Sequence, residues 1–119
     1  MEIKANDFFR QRIAGCNERQ RELQKENCND EANFEKIKAN VYDIFKTVLS
    51  VGMKQHGEDS SKAQEFLIKK LEQISSDWAS SYEKAKQNDD SKKMCIEKIK
   101  MNTAQDIREN ILHIWEENR

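Results

Sequence analysis

Phe34, Ile37, Val41, Ile44, Val48 and Val51 are separated by steps of 3, 4, 3, 4 and 3 residues. A strand alternates in twos, whereas apolar side chains recurring every three and a half positions mark a helix that lays a seam against neighbours. Residues 31–56 therefore read as one helix. Phe45, Leu49 and Gly52 widen its stripe on one side, with Tyr42 further around. It is expected to be the most buried helix, contacting two or more others through that seam.

The same period governs the rest of the chain. Phe9, Ile13, Cys16 and Leu23 recur along about 6–26, with Gln20 interrupting and Gly15 costing about 1 kcal/mol relative to alanine. Leu23 is the one large apolar residue between Cys16 and Glu26, so the second half of this helix is expected to be poorly buried. Ala63, Phe66, Leu67, Leu71, Ile74, Trp78 and Ala85 mark a third helix over 62–87, and Ile96, Ile99, Thr103, Ile107, Ile111 and Ile114 a fourth over 92–118. Capping is expected from Asn6 or Asp7, from Asn29 or Asp30, and from a Ser61–Gln64 capping box. Gly57 suits a left-handed helix end, and Asn88-Asp89-Asp90-Ser91 reads as a turn.

With no proline and three glycines in 119 residues, a sandwich or barrel lacks its turn residues. Short breaks between long helices favour antiparallel neighbours. The expected fold is all-α: an antiparallel up-down-up-down four-helix bundle with long helices, one domain over 1–119. The alternative is a three-helix bundle with helix 1 loosely attached or swapped in a dimer. The 32 large apolar side chains satisfy a narrow seam of two positions in seven, about 29 over four helices, and fall short of the roughly 43 that a broad face demands. The thin first helix should leave a gap against helices 2 and 4, which a homodimer would cover.

Charge and motifs then limit the function. Charged residues make up 36% of the chain, yet the net charge is −1. Segments 1–28, 29–57, 58–88 and 89–119 sum to +1, 0, −1 and −1. That even mixing argues against nucleic acid and anionic lipid as partners. One asymmetry stands out: Arg10, Arg12, Arg19 and Arg21 are four of the six arginines, and Arg12 and Arg19 share a helical face. It reads as a solvated face or as a patch for an acidic partner. No apolar run reaches the ~18 residues of a membrane span, and no leader pattern opens the chain. Cys16, Cys28 and Cys95 are odd in number and widely spaced, which suits free thiols in a reducing cytoplasm better than zinc ligands or disulfides. Cys16 and Cys95 sit on or near apolar stripes, where a buried thiol is an inert small hydrophobe.

Sites with strict demands are not met. Neither His56 nor His113 belongs to a Glu-x-x-His motif, and the glycine-rich phosphate loop is missing. Asp106 and Glu109 form one i,i+3 carboxylate pair. No metal, cofactor or catalytic residue is assigned. An up-down-up-down bundle brings the start of helix 1, the 56–60 connection and the end of helix 4 together, collecting Phe8, Phe9, Met53, His56, His113 and Trp115. That end is either plain end-packing or a contact for a ligand or partner. The function expected is a non-catalytic protein-interaction or regulatory module, acting on a protein partner or on itself. The alternative is a divergent carboxylate- and Mg²⁺-dependent enzyme.

Overall fold

A computed structural model describes residues 2–57 and 59–117. It contains four helices: α1 (Glu2–Lys25), α2 (Asn29–His56), α3 (Ser60–Gln87) and α4 (Ser91–Glu117). Among the described residues there is no strand. Three-residue connections force each helix to turn back on the last. Lys4 pairs with Glu117 at 3.9 Å, which ties the start of α1 to the end of α4. The chain is an antiparallel four-helix bundle. No helix is long and apolar enough to cross a membrane. Residue 58 of the second connection and residue 118, where the sequence pattern ends the last helix, lie outside the described residues.

The bundle is flattened, with extents of 45 × 35 × 22 Å. α2 packs on α1, α3 and α4, as its pattern predicts. α1 and α3 occupy opposite corners, while α2 and α4 meet across the short diagonal. Consequently α1 leans on α2 and meets α4 sparingly.

The helix ends differ from the sequence reading in instructive ways. α1 starts at Glu2, so Asn6 and Asp7 lie inside the helix and cap nothing. Burial of Ala5 and Phe9 holds that first turn against the core. The turn after α1 closes through Asn27 at φ 61°, with the Cys28 N–H donating to the Leu23 carbonyl at 2.8 Å. This tight closure puts Cys28, without a side-chain cap bond, at the N-cap of α2, so Asn29 and Asp30 move into the first turn. There Asp30 and Glu31 still favour the helix dipole. α3 is capped by Asp59, whose carboxylate accepts from the Lys62 N–H at 3.2 Å. The helix thus opens ahead of Ser61, and the Ser61–Gln64 box is not its cap. Asp90 caps α4 in the same manner through Lys93. Gly57 ends α2 at φ 55°, where a Cβ would be strained.

The core is one cluster around Phe9, Phe45, Leu67, Ile107 and Ile111, each 0% exposed. Here the seam of α2 needs correcting. Its buried face runs through Ala32, Glu35, Ala39, Val41, Tyr42, Phe45, Leu49 and Gly52. Ile44 and Val51, both on the predicted seam, are 42% and 39% exposed. Three neighbours spread over a wide arc draw the centre of burial onto the Tyr42–Phe45–Leu49 side. α4 rotates similarly: Glu97, Ala104 and Trp115 are buried beside Thr103, Ile107 and Ile111. Ile96, Ile99 and Ile114 are left at the margin. Cys95, placed near an apolar stripe by its spacing, is exposed for the same reason, whereas Cys16 is buried as expected.

Candidate functional site

Local sequence opens the site. α1 buries Ala5, Phe9 and Cys16, and none of residues 17–25 is buried. A helix with so little apolar surface in its second half has nothing to hold it against α4. The parting leaves a groove of about 490 Å³ between α1, α2 and α4. Arg12, Cys16 and Arg19 line it from α1, Lys38 and Tyr42 from α2, and Asn102, Thr103 and Asp106 from α4. The gap expected against helices 2 and 4 is therefore present, and its walls mix charged groups with the apolar surface of Ile99, Cys16 and the Tyr42 ring.

Two carboxylates organise these walls. Asp106 accepts from the Tyr42 hydroxyl at 2.6 Å, from Arg12 Nε at 3.1 Å and from the Asn110 amide at 3.0 Å. Glu35 is 9% exposed and sits between Arg19 Nε and Lys38 Nζ, each at 3.3 Å. Its Oε2 has no aligned donor, so the Arg19 contact is an ion pair without a hydrogen bond. Arg19 Nη2 also donates to Cys16 Sγ at 3.5 Å. Thus three cations line the groove, with Asp106 among them and Glu35 buried behind.

The titrations say what this chemistry does. Burial, reinforced by the neighbouring Glu35 charge, pushes the Cys16 thiol up against the opposing pull of Arg19. A thiol held protonated is a poor nucleophile. Burial and the hydrogen bond to Asp106 push the Tyr42 phenol up, so it stays a donor. Burial disfavours the charge on Arg19, but Glu35 outweighs it and the guanidinium is held more firmly protonated. The groove therefore presents fixed positive charge. A guanidinium carries five N–H donors, and Arg12 spends Nε and Nη2 on Asp106. What is left of such a fork matches a carboxylate.

Each candidate residue from the sequence has its own contacts. Phe8 stacks edge-on with Phe9 at 5.3 Å and with Tyr42 at 6.1 Å, and Arg12 lies over its ring at 5.1 Å, which joins it to the groove. Phe9 is fully buried. Trp115 is 7% exposed and edges a second groove between α3 and α4, with Ile68 and Leu112. His56 packs on Phe66 with ring centroids 6.0 Å apart, and Met53 packs against the core. His113 pairs with Glu117 on its own helix at 3.1 Å. The two histidines thus have different partners. Asp106 and Glu109 also diverge: Asp106 faces Tyr42, and Glu109 accepts from Gln105 at 3.0 Å. Among the described residues no three His, Cys, Asp or Glu side chains gather where a metal ion could sit.

Arg12 and Arg19, seven apart in sequence, do line one groove. Tyr42, Lys38 and Glu35 were not legible as site residues, since a tyrosine and two charges beside an apolar seam look like its margin. The one signal was Glu35 on the flank of the strongest stripe, where a charge must find a partner. Compared with family models, with curated proteins and with solved structures, the chain matches none.

Proposed function

We propose that this chain is a non-catalytic interaction module whose α1–α4 groove receives an acidic segment of a partner protein. The observation that carries this reading is the parting of α1 from α4 between Arg12, Arg19 and Lys38. A helix lying there would supply the contacts that α1 lacks and would bring carboxylates to the guanidinium forks. Side-chain exposures of 45% for Arg12, 53% for Arg19 and 39% for Lys38 leave each cation reachable. The protonated Cys16 and Tyr42 support a binding role over a nucleophilic one.

The test uses a fluorescein-labelled helical peptide with glutamates along one face, followed by anisotropy. Binding is expected to weaken about tenfold or more between low and ~0.5 M salt, since rim charges are screened. The triple variant Arg12→Gln, Arg19→Gln, Lys38→Gln should abolish it, and Lys92→Gln with Lys93→Gln should leave it unchanged. Binding indifferent to the triple substitution, or no binding, would remove the proposal.

A further inference from the structure

The charges along the α1–α4 groove nearly cancel. Arg12, Arg19 and Lys38 stand against Asp106 and Glu35, which leaves a surplus of one positive charge. That surplus has a place. Arg12 meets Asp106 through Nε at 3.1 Å and Nη2 at 3.4 Å, so these two charges offset each other. Arg19 and Lys38 share the one carboxylate of Glu35, each at 3.3 Å. α1 and α4 run antiparallel, so Ile99, seven residues before Asp106, lies level with Arg19, seven residues after Arg12. Cys16 and Tyr42, one turn from Arg19 and Lys38, carry apolar surface from there toward Arg12. From this arrangement we infer that the acidic segment is a two-turn amphipathic helix. It brings one carboxylate to Arg19 and Lys38 and, one turn along, an apolar side chain to the surface formed by Ile99, Cys16 and the Tyr42 ring. The inference rests on the groove's proposed role as the interaction site and specifies the partner it takes.

Length, charge and floor together select this partner over a run of acidic residues. The lining positions span seven residues on α1 and seven on α4, about 10 Å at 1.5 Å per residue, which is two helical turns. At one end Glu35, 9% exposed, holds Arg19 and Lys38 from behind, and the donors they turn outward match a single carboxylate. At the other end a second carboxylate would share Arg12 with Asp106, so a like charge at close range opposes the attraction of the guanidinium. The N–H donors that Arg12 keeps suit a neutral acceptor equally well. Between the two ends the floor offers no charge. Cys16 and Tyr42 are 1% and 6% exposed, and the Tyr42 hydroxyl is already committed to Asp106 at 2.6 Å. Against that floor a carboxylate loses water without gaining a partner, whereas an apolar side chain is stabilised by leaving water.

Fluorescein-labelled peptides on one alanine- and glutamine-rich helical scaffold test the assignment by anisotropy with the full chain. The parent peptide carries one glutamate and, four residues on, a leucine. Replacing the leucine by serine should weaken binding about tenfold or more. Adding a second glutamate seven residues from the first should change it by less than about threefold. Replacing the glutamate by glutamine should weaken it about tenfold. That loss should vanish against the Arg19→Gln chain and persist against the Arg12→Gln chain, because only contacting groups are coupled. Both positions are about half exposed, and an unchanged helical spectrum and cooperative melt confirm that the variants fold. Three results overturn the inference: a serine peptide as tight as the parent, a gain of about tenfold from the second glutamate, or a glutamate loss that vanishes with Arg12→Gln instead. The broader acidic-segment reading survives each of them so long as the peptide with glutamates along one face binds and the triple substitution abolishes it. Binding by none of the peptides removes both.

Discussion

Asp106 turns a polar side chain of α4 into the point where three helices meet, since its carboxylate holds Arg12 of α1 and Tyr42 of α2. Hydrogen bonds to charged groups contribute about 1.5–3 kcal/mol, so Tyr42→Phe should lower stability at neutral pH by about 1–2 kcal/mol. The pH dependence has a definite sign. The folded Tyr42 phenol titrates above the ordinary value near 10, so the folded state binds more protons than the unfolded chain in that range. Its stabilisation is complete below about pH 10 and is lost as pH rises toward the elevated folded value. The Cys16 thiol, also pushed up, contributes in the same direction from about pH 9. Thermal melts between pH 7 and 11 should therefore converge: the wild type loses its advantage over Tyr42→Phe as the buffer becomes alkaline. Two curves that stay parallel throughout would show that the Tyr42–Asp106 bond makes no difference to folding.

Helix packing shows how far such patterns can be read. The helical segments and the dominance of α2 follow from the apolar period, because only a helix returns side chains to one face every three and a half residues, and their antiparallel order follows from the short breaks between them. The rotation of α2 about its axis does not follow from it. Ile44 and Phe45 are neighbours of similar hydrophobicity, and burial chooses Phe45 because Trp78 of α3 stacks on it at 6.1 Å. Partner geometry of that kind is long-range and leaves no local trace. The groove was half legible: the paucity of apolar residues after Cys16 announced a gap, but Tyr42 and Lys38 became wall residues, with Glu35 buried behind them, only through the parting of α1 from α4. Gly52 gives a measurable instance of the same dependence. A Cβ there would lie 2.9 Å from Phe66 Cδ1, on a ring also packed against His56. Overpacking of about 1–3 kcal/mol should outweigh the gain of about 1 kcal/mol in helix propensity, so Gly52→Ala is expected to lower the melting temperature. At Gly15 the nearest atom is Arg19 Nη1 at 3.4 Å, the end of a flexible side chain. Gly15→Ala should accordingly stabilise by about 1 kcal/mol. Equal signs for the two substitutions would refute the packing argument.

Flattening of the bundle distributes stability unevenly, and this uneven distribution is what makes a receptive groove compatible with a folded chain. α2, α3 and α4 share most of the fully buried side chains, including Phe45, Leu67, Ile107 and Ile111. α1 adds Phe9 and Cys16 near its middle and then runs along α2 on charged contacts, among them Arg19 with Glu35. None of residues 17–25 is buried, and Lys38 still pairs with Glu35 when Arg19 leaves, so that stretch should detach without unfolding the remainder. In native-state hydrogen exchange the amides of that stretch are expected to exchange about a hundredfold faster than those of Tyr42–Leu49 and Ala104–Ile111, a difference of about 2–3 kcal/mol in opening free energy. An acidic peptide seated in the groove should slow exchange in 17–25 selectively, because a ligand that binds only the closed arrangement stabilises it by mass action. Uniform protection across all four helices would mean that α1 is as firmly docked as its neighbours, and the groove would then be a fixed crevice with no second half-helix to recruit.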